Sequence, residues 1–332
     1  MAKIHEANEA WPELFRTVKT IVELEPDNVE IRIQYMNLLA LAGRLDDAME
    51  QSTLLVSMAP SNVDVHIARS SLLFRSGNVK GGVEEANNAL ELDNENVHAR
   101  YMLAKQQLVD KKPESALLML EPGLRKHPND YALNTLKIQV LNELGQHEQA
   151  ISVFKHLVSL SPNNAQLHTL FARQYLRKGD VQSAEDLWKG FAAREGGAAS
   201  MLTVVDFLLS RRSKEDAEAQ LVRYMEQRPN VLELKFALAD FMSSSGRVEE
   251  AEALMKSLVD SSPDTEGGLK AKNVLAHFAG QRGDNETAKR LLEEVLATDK
   301  QNLPAVIGLG RLELKLGATE NAIRRLRGAL SI

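Results

Sequence analysis

The sequence predicts an all-α fold built as an array of helix–turn–helix units, and three observations predict it. Six of the ten prolines, Pro26, Pro60, Pro128, Pro162, Pro229 and Pro263, are separated by 34, 68, 34, 67 and 34 residues, a period of 34 with one deletion. Counting each unit so that this proline is position 32, position 20 reads Ala48, Gly82, Ala116, Ala150, Ala184, Ala217, Ala251, Ala288 and Ala322, a small residue every time. Position 15 reads Gly43, Gly77, Gly145, Gly179, Gly246, Gly283 and Gly317, interrupted only by Lys111 and Arg212. Glycine there ends a helix because it reaches φ > 0 without a steric penalty.

This register places an N-terminal half repeat at 1–28 and nine units at 29–62, 63–96, 97–130, 131–164, 165–197, 198–231, 232–265, 269–302 and 303–332. Between the markers, apolar residues recur at helical spacing, as in Leu234, Ala237, Leu238 and Phe241, then Ala251, Leu254, Met255 and Leu258. Acidic residues follow the turn in Leu45-Asp46-Asp47-Ala48 and Val248-Glu249-Glu250-Ala251, where they suit the positive end of a starting helix. Taken in order, Pro12, Pro113 and Pro304 are placed at or near a first helical turn, where the missing N–H costs little. Pro122, followed by Gly123, falls inside the second helix of 97–130, where proline costs about 3 kcal/mol or kinks the helix. Glu195-Gly196-Gly197 shortens one junction and Glu266-Gly267-Gly268 inserts three residues before Leu269, so the array is expected to change pitch at both places.

Composition narrows the function. Of 332 residues 26% are charged and 44% hydrophobic, which supports a packed core. The net charge of −6 lacks the positive field of a non-specific nucleic-acid binder. With no cysteine there are no disulfides, thiolate nucleophiles or Cys-ligated metals, and the redox compartment stays open. No run approaches the ~18 apolar residues of a membrane span, and Met1-Ala2-Lys3-Ile4-His5-Glu6 has no signal-peptide core.

The period, the alanine at the helix crossing and the terminal proline resemble the tetratricopeptide repeat family. The resemblance implies a right-handed superhelical solenoid, with first helices on the concave side and second helices on the convex side. Tyr35, Phe154, Tyr175 and Trp188 match the family's aromatic positions, whereas most units carry aliphatics there. More loosely, Val204-Val205-Asp206-Phe207-Leu208-Leu209-Ser210-Arg211-Arg212 and Gly268-Leu269-Lys270-Ala271-Lys272-Asn273 resemble bacterial multi-repeat lipoproteins of exopolysaccharide or protein-sorting loci. That likeness implies a periplasmic structural role in envelope export or assembly, with the lipid-bearing cysteine upstream of this chain. Without it a cytoplasmic location is expected.

Catalytic patterns fail on spacing. His147-Glu148 opens an H-E-x-x-H, but Ile151 occupies the second histidine's place. His127, His156 and His168 are expected on solvated faces or turns, and His98 and His277 on the concave face. Adjacent acids such as Asp46-Asp47 point about 100° apart on a helix and share no proton. There is no phosphate-cradling glycine motif. An enzyme is disfavoured, and no metal or cofactor is implied.

The groove is the remaining candidate. The resemblance places positions 2, 5, 9, 12 and 13 of each unit on it, and position 9 reads Asn37, Ser71, Lys105, Gln139, Arg173, Asp206, Asp240, His277 and Arg311. Lys105, Arg173 and Arg177 make a basic stretch, Asp206 and Asp240 an acidic one, and Tyr101 and Phe236 are apolar anchors between them. Apolar anchors with charges that set register suit a protein or peptide partner of mixed charge. The family's carboxylate clamp is incomplete: Asn37 is in place, but Ile33 and Ala68 stand where it needs polar groups. RNA reading in the manner of pentatricopeptide repeats conflicts with the acidic net charge. Ala322, Leu326, Ala329 and Leu330 are expected to present apolar surface on an uncapped last helix, which implies self-association or a longer natural chain.

Overall fold

The computed structural model describes residues 2–329, and the side chains of 12–327. The described residues form nineteen helices, divided between two compact units, residues 1–179 and 180–332. The first unit holds α1 (Ala2–Leu24), α2 (Val29–Leu41), α3 (Leu45–Met58), α4 (Val63–Arg75), α5 (Val79–Leu92), α6 (Val97–Val109), α7 (Pro113–Lys126), α8 (Tyr131–Glu143), α9 (His147–Leu160) and α10 (Ala165–Arg177). The second holds α11 (Val181–Glu195), α12 (Ala198–Arg211), α13 (Lys214–Gln227), α14 (Leu232–Ser244), α15 (Val248–Ser261), α16 (Glu266–Arg282), α17 (Asn285–Thr298), α18 (Leu303–Lys315) and α19 (Thr319–Ala329). No strand occurs among the described residues.

Local chemistry explains where the helices begin and end. Asn28, Asn62, Asn96, Asp130, Asn164 and Asn302 cap the even-numbered helices α2, α4, α6, α8, α10 and α18, each side chain accepting from a first-turn N–H. At the other end of α2 and α4, the N–H of Arg44 and of Asn78 reaches back to Leu39 O and Leu73 O at 2.9 Å. The glycine between, Gly43 or Gly77, has φ near +80°. The same bond closes α6, from Lys112 N to Gln107 O at 2.9 Å, but Lys111 must supply the left-handed residue at φ +60°. A side chain there costs about 1–2 kcal/mol. Lys111→Gly is therefore expected to raise stability by about 1 kcal/mol after allowance for glycine's unfolded-state entropy, seen as a higher denaturation midpoint. An unchanged or lower midpoint would contradict it. Arg212, the other exception, needs no glycine: its φ is −123° and Ser213 caps α13 directly.

Position 20 sits where paired helices cross. Ala48 and every alanine from Ala116 to Ala322 at that register are at most 2% exposed. Gly82 replaces alanine because the Phe74 ring crosses there, 2.9 Å from where a Cβ would lie. Alternate helices also touch directly, α2 with α4, α4 with α6 and α6 with α8 in the first unit, α12 with α14 and α16 with α18 in the second. These are all first helices of their pairs. Close approach on that side puts the first helices on the inner face of each right-handed solenoid stack.

Some expectations change. Pro12 lies in the interior of α1, because that helix extends back to Ala2. Pro113 and Pro304 do open α7 and α18. α7 continues through Pro122, and Gly123 is buried against Leu133 and Arg100. The inserted Glu266-Gly267-Gly268 adds a turn to the start of α16, capped by Thr265. His168 is fully buried rather than solvated, its Nδ1 2.9 Å from Asn164 O. The reason is positional. Arg32, His66, Arg100 and Asn134 stand at the same place in their units, and each reaches the turn carbonyl six residues earlier, of Pro26, Pro60, Asn94 and Pro128. Position 4 thus faces the preceding turn, and its polar side chain bonds a backbone carbonyl there.

The two units differ at position 21. In the first it is Met49, Val83, Leu117 or Ile151. In the second it is Glu185, Glu218, Glu252, Lys289 or Ile323, and the three glutamates each bind an arginine at the next inter-helix turn: Arg212 at 3.0 Å, Arg247 at 2.8 Å, and Arg282.

Candidate functional site

The hollows on the inner face of the first unit include two larger ones. One, of about 680 Å³, lies across α2 and α4 with His98 of α6 at its edge; Ile33 and Ile67 line it between the carboxylates of Glu30 and Asp64. The other, of about 410 Å³, spans α6, α8 and α10. Arg173 and Arg177, one helical turn apart on α10, share it with apolar Leu108, Ile138 and Leu170, and with Glu143. Its polar wall is braced by Gln174, whose Nε2 donates to Asn142 Oδ1 at 2.7 Å. The arrangement offers guanidinium groups beside apolar surface, which suits carboxylates next to aliphatic or aromatic side chains.

The remaining sequence candidates have separate surroundings. Tyr101 and Lys105 lie on α6, with the ammonium 5.9 Å from the ring centroid, and neither lines the hollow that holds Arg173 and Arg177. In the second unit Asp206 on α12 and Asp240 on α14 are exposed. Phe236 is half-buried against the core, with the Lys270 ammonium 4.9 Å over its ring. A hollow across α16 and α18 includes His277 and Arg311, and also Lys315, which the position-9 row could not show because it stands at position 13. Glu30 and Asp64 were equally out of reach of that row, since they stand at position 2. Among the described residues no three His, Cys, Asp or Glu side chains group as a metal site.

A model of the tetratricopeptide repeat family matches residues 281–332. This stretch covers a helix turn, a crossing alanine and a glycine stop of the same geometry as the other pairs. Over that stretch the repeats are tetratricopeptide repeats. A second family model, of ChAPs (Chs5p-Arf1p-binding proteins), matches residues 44–187. Cellulose synthase operon protein C of Salmonella typhimurium is 24% identical over 189 residues, 54% of this chain, and the chain spans 15% of that relative's length. Among solved structures, pilF of Pseudomonas aeruginosa is similar at 19% identity and a TM-score of 0.46, covering 64% of this chain and 97% of its own. PilW, a widely conserved type IV pilus biogenesis factor, follows at 17% and 0.45, covering 63% and 98%. YrrB, a tetratricopeptide repeat protein with an unusual peptide-binding site, stands at 18% and 0.41, covering 56% and 96%. Tetratricopeptide repeat proteins are generally non-catalytic and bind peptide or protein partners. No helix among the described residues is long and apolar enough to cross a membrane.

Proposed function

We propose that this chain is a non-catalytic scaffold that binds a polypeptide of mixed charge through its first-helix face. The observation that carries the reading is the convergence of Arg173 and Arg177 with Leu108, Ile138 and Leu170 in one hollow. Arg173, Arg177 and Lys105 meet an acidic stretch of the partner, Asp206 and Asp240 a basic one, and Tyr101 and Phe236 contact its apolar side chains. Reversing Arg173 and Arg177 to glutamate is expected to weaken binding by about tenfold or more and to flatten its salt dependence, because exposed charge pairs steer association and are screened by ions. Reversing Lys155 and Arg290, on second helices, is expected to do little. The test is recovery of partners from the native host with parent and variant, followed by affinity measurement at low and high salt. Equal recovery and affinity for both proteins would refute the assignment.

A second reading places the scaffold in an envelope export or assembly system that handles exopolysaccharide, in the periplasm. Its support is the likeness to cellulose synthase operon protein C. Cell fractionation tests it, and recovery only from the cytoplasm would exclude it.

A further inference from the structure

The hollow across α16 and α18 sets cations beside apolar surface, as the hollow of Arg173 and Arg177 does, but without a carboxylate in its lining. Its floor is apolar, made by Leu292 of α17, Leu312 and Ile307 of α18, and Ala276 of α16. Glycine makes the depth: Gly280 on α16 and Gly308 on α18 stand on the walls where other first helices carry side chains. A Cβ on Gly308 would come within 3.1 Å of the Leu292 side chain, and one on Gly280 would reach only Ala288, at 3.9 Å. The space, about 410 Å³, falls within the range of small-ligand pockets, roughly 300–1,000 Å³, and has room for a bulky apolar side chain together with part of the backbone that carries it.

Its rim is cationic. Arg311 and Lys315 follow one another on α18 at one-turn spacing, and no carboxylate lines the hollow. The contrast with neighbouring cations is the informative part. Arg212, Arg247, Arg282 and Arg325 each hold a carboxylate, of Glu185, Glu218, Glu252 and Glu313. Lys315 instead donates to neutral acceptors, Gly280 O at 2.9 Å and Asn285 Oδ1 at 3.4 Å. Arg311 is exposed and has no carboxylate partner among the described residues. Charge left uncompensated beside an apolar hollow favours a ligand that brings both an apolar group and an anion.

We infer that this hollow receives one bulky apolar side chain of an acidic polypeptide segment, with the segment's flanking carboxylates on Arg311 and Lys315. The inference rests on the reading of the first-helix face as the binding surface, but it uses none of the residues assigned above. The probe is a fluorescein-labelled peptide of about ten residues, glutamate and serine with one central leucine, read by anisotropy against the full chain. A control peptide carries serine in place of the leucine.

The expected result is saturable binding of the leucine peptide, weakened about tenfold or more by Arg311→Glu, by Gly280→Leu, and by the leucine-to-serine change. Gly280→Leu fills the hollow from a position with room for a Cβ. Arg311→Glu alters an exposed side chain, so it remains informative if the first variant fails to fold. No binding of the leucine peptide at about millimolar protein, or equal binding of both peptides, would overturn the inference. So would binding indifferent to Arg311→Glu and to folded Gly280→Leu. Concentration-dependent dimers abolished by Gly280→Leu would assign the hollow to a second copy instead. The Arg173→Glu/Arg177→Glu variant separates the two readings: loss there alone leaves the wider proposal standing and removes this one, and loss only with the α16–α18 variants does the reverse.

Discussion

Gly268→Ala is expected to destabilise the second unit by about 3 kcal/mol, the upper end for overpacking. A Cβ at Gly268 would lie 2.0 Å from Ser262 O and 2.8 Å from Pro263 O. Both are backbone atoms of the turn that leads into α16, and that turn is itself held by Thr265, whose N–H and hydroxyl bond Ser262 O. The chain must therefore either move the turn or unwind the added first turn of α16. Gly267 is the internal control: its Cβ would meet only the Leu232 side chain, at 2.6 Å, and a leucine can rotate away. Denaturant unfolding of both variants measures the difference. Repeat contacts run between neighbours, so hydrogen exchange should rise first around 262–272 and then in α15 and α17. A Gly268→Ala protein as stable as the parent would mean that this junction is not closely packed.

Glu185→Ala is expected to cost about 2 kcal/mol and to remove part of the acid sensitivity of the second unit. The carboxylate is nearly buried and holds Lys189 at 2.7 Å and Arg212 at 3.0 Å. Deleting it strands two cations; the cost stays below the ~3–5 kcal/mol of a fully buried pair because both remain about one-third exposed. Burial pushes the Glu185 carboxyl up, but the hydrogen bonds and charges of Lys189 and Arg212 outweigh it and hold it below the ordinary glutamate value. The folded state therefore binds the proton more weakly than the unfolded one. Its stabilisation is complete above the unfolded value of about 4.3 and is lost as pH falls through the lower folded value. Unfolding midpoints of the parent and of Glu185→Gln, measured from neutral pH down to about pH 3, should converge at the acid end. Curves that stay parallel would contradict the assignment.

Much of the fold was legible because its determinants are local or strictly periodic. A glycine that must take φ > 0, a small residue where helices cross and a proline before the next pair recur every 34 residues, so each unit corroborates the rest. The site was less legible. Arg173 and Arg177 could be placed together because they are one turn apart on one helix, and the structure sets them in one hollow. Phe236 looked like a free anchor, but Lys270 from the next first helix covers its ring. The sequence could not show that contact without the packing of α14 against its neighbours.

The sequence by itself determined the class of fold, the helix ends and the crossing positions, since these depend on backbone conformation and side-chain volume at fixed spacing. Only the tertiary structure decided which polar side chains are spent on the protein itself. His168 reads as a surface histidine and is buried, and Glu185, Glu218 and Glu252 clasp arginines of the next turn. Arg311 and Lys315, unlike Arg212, Arg247, Arg282 and Arg325, face an apolar hollow with no carboxylate in its lining. The reason is that burial and charge pairing depend on residues about 30 positions away in the neighbouring repeat, and the period brings them near without stating which atoms meet.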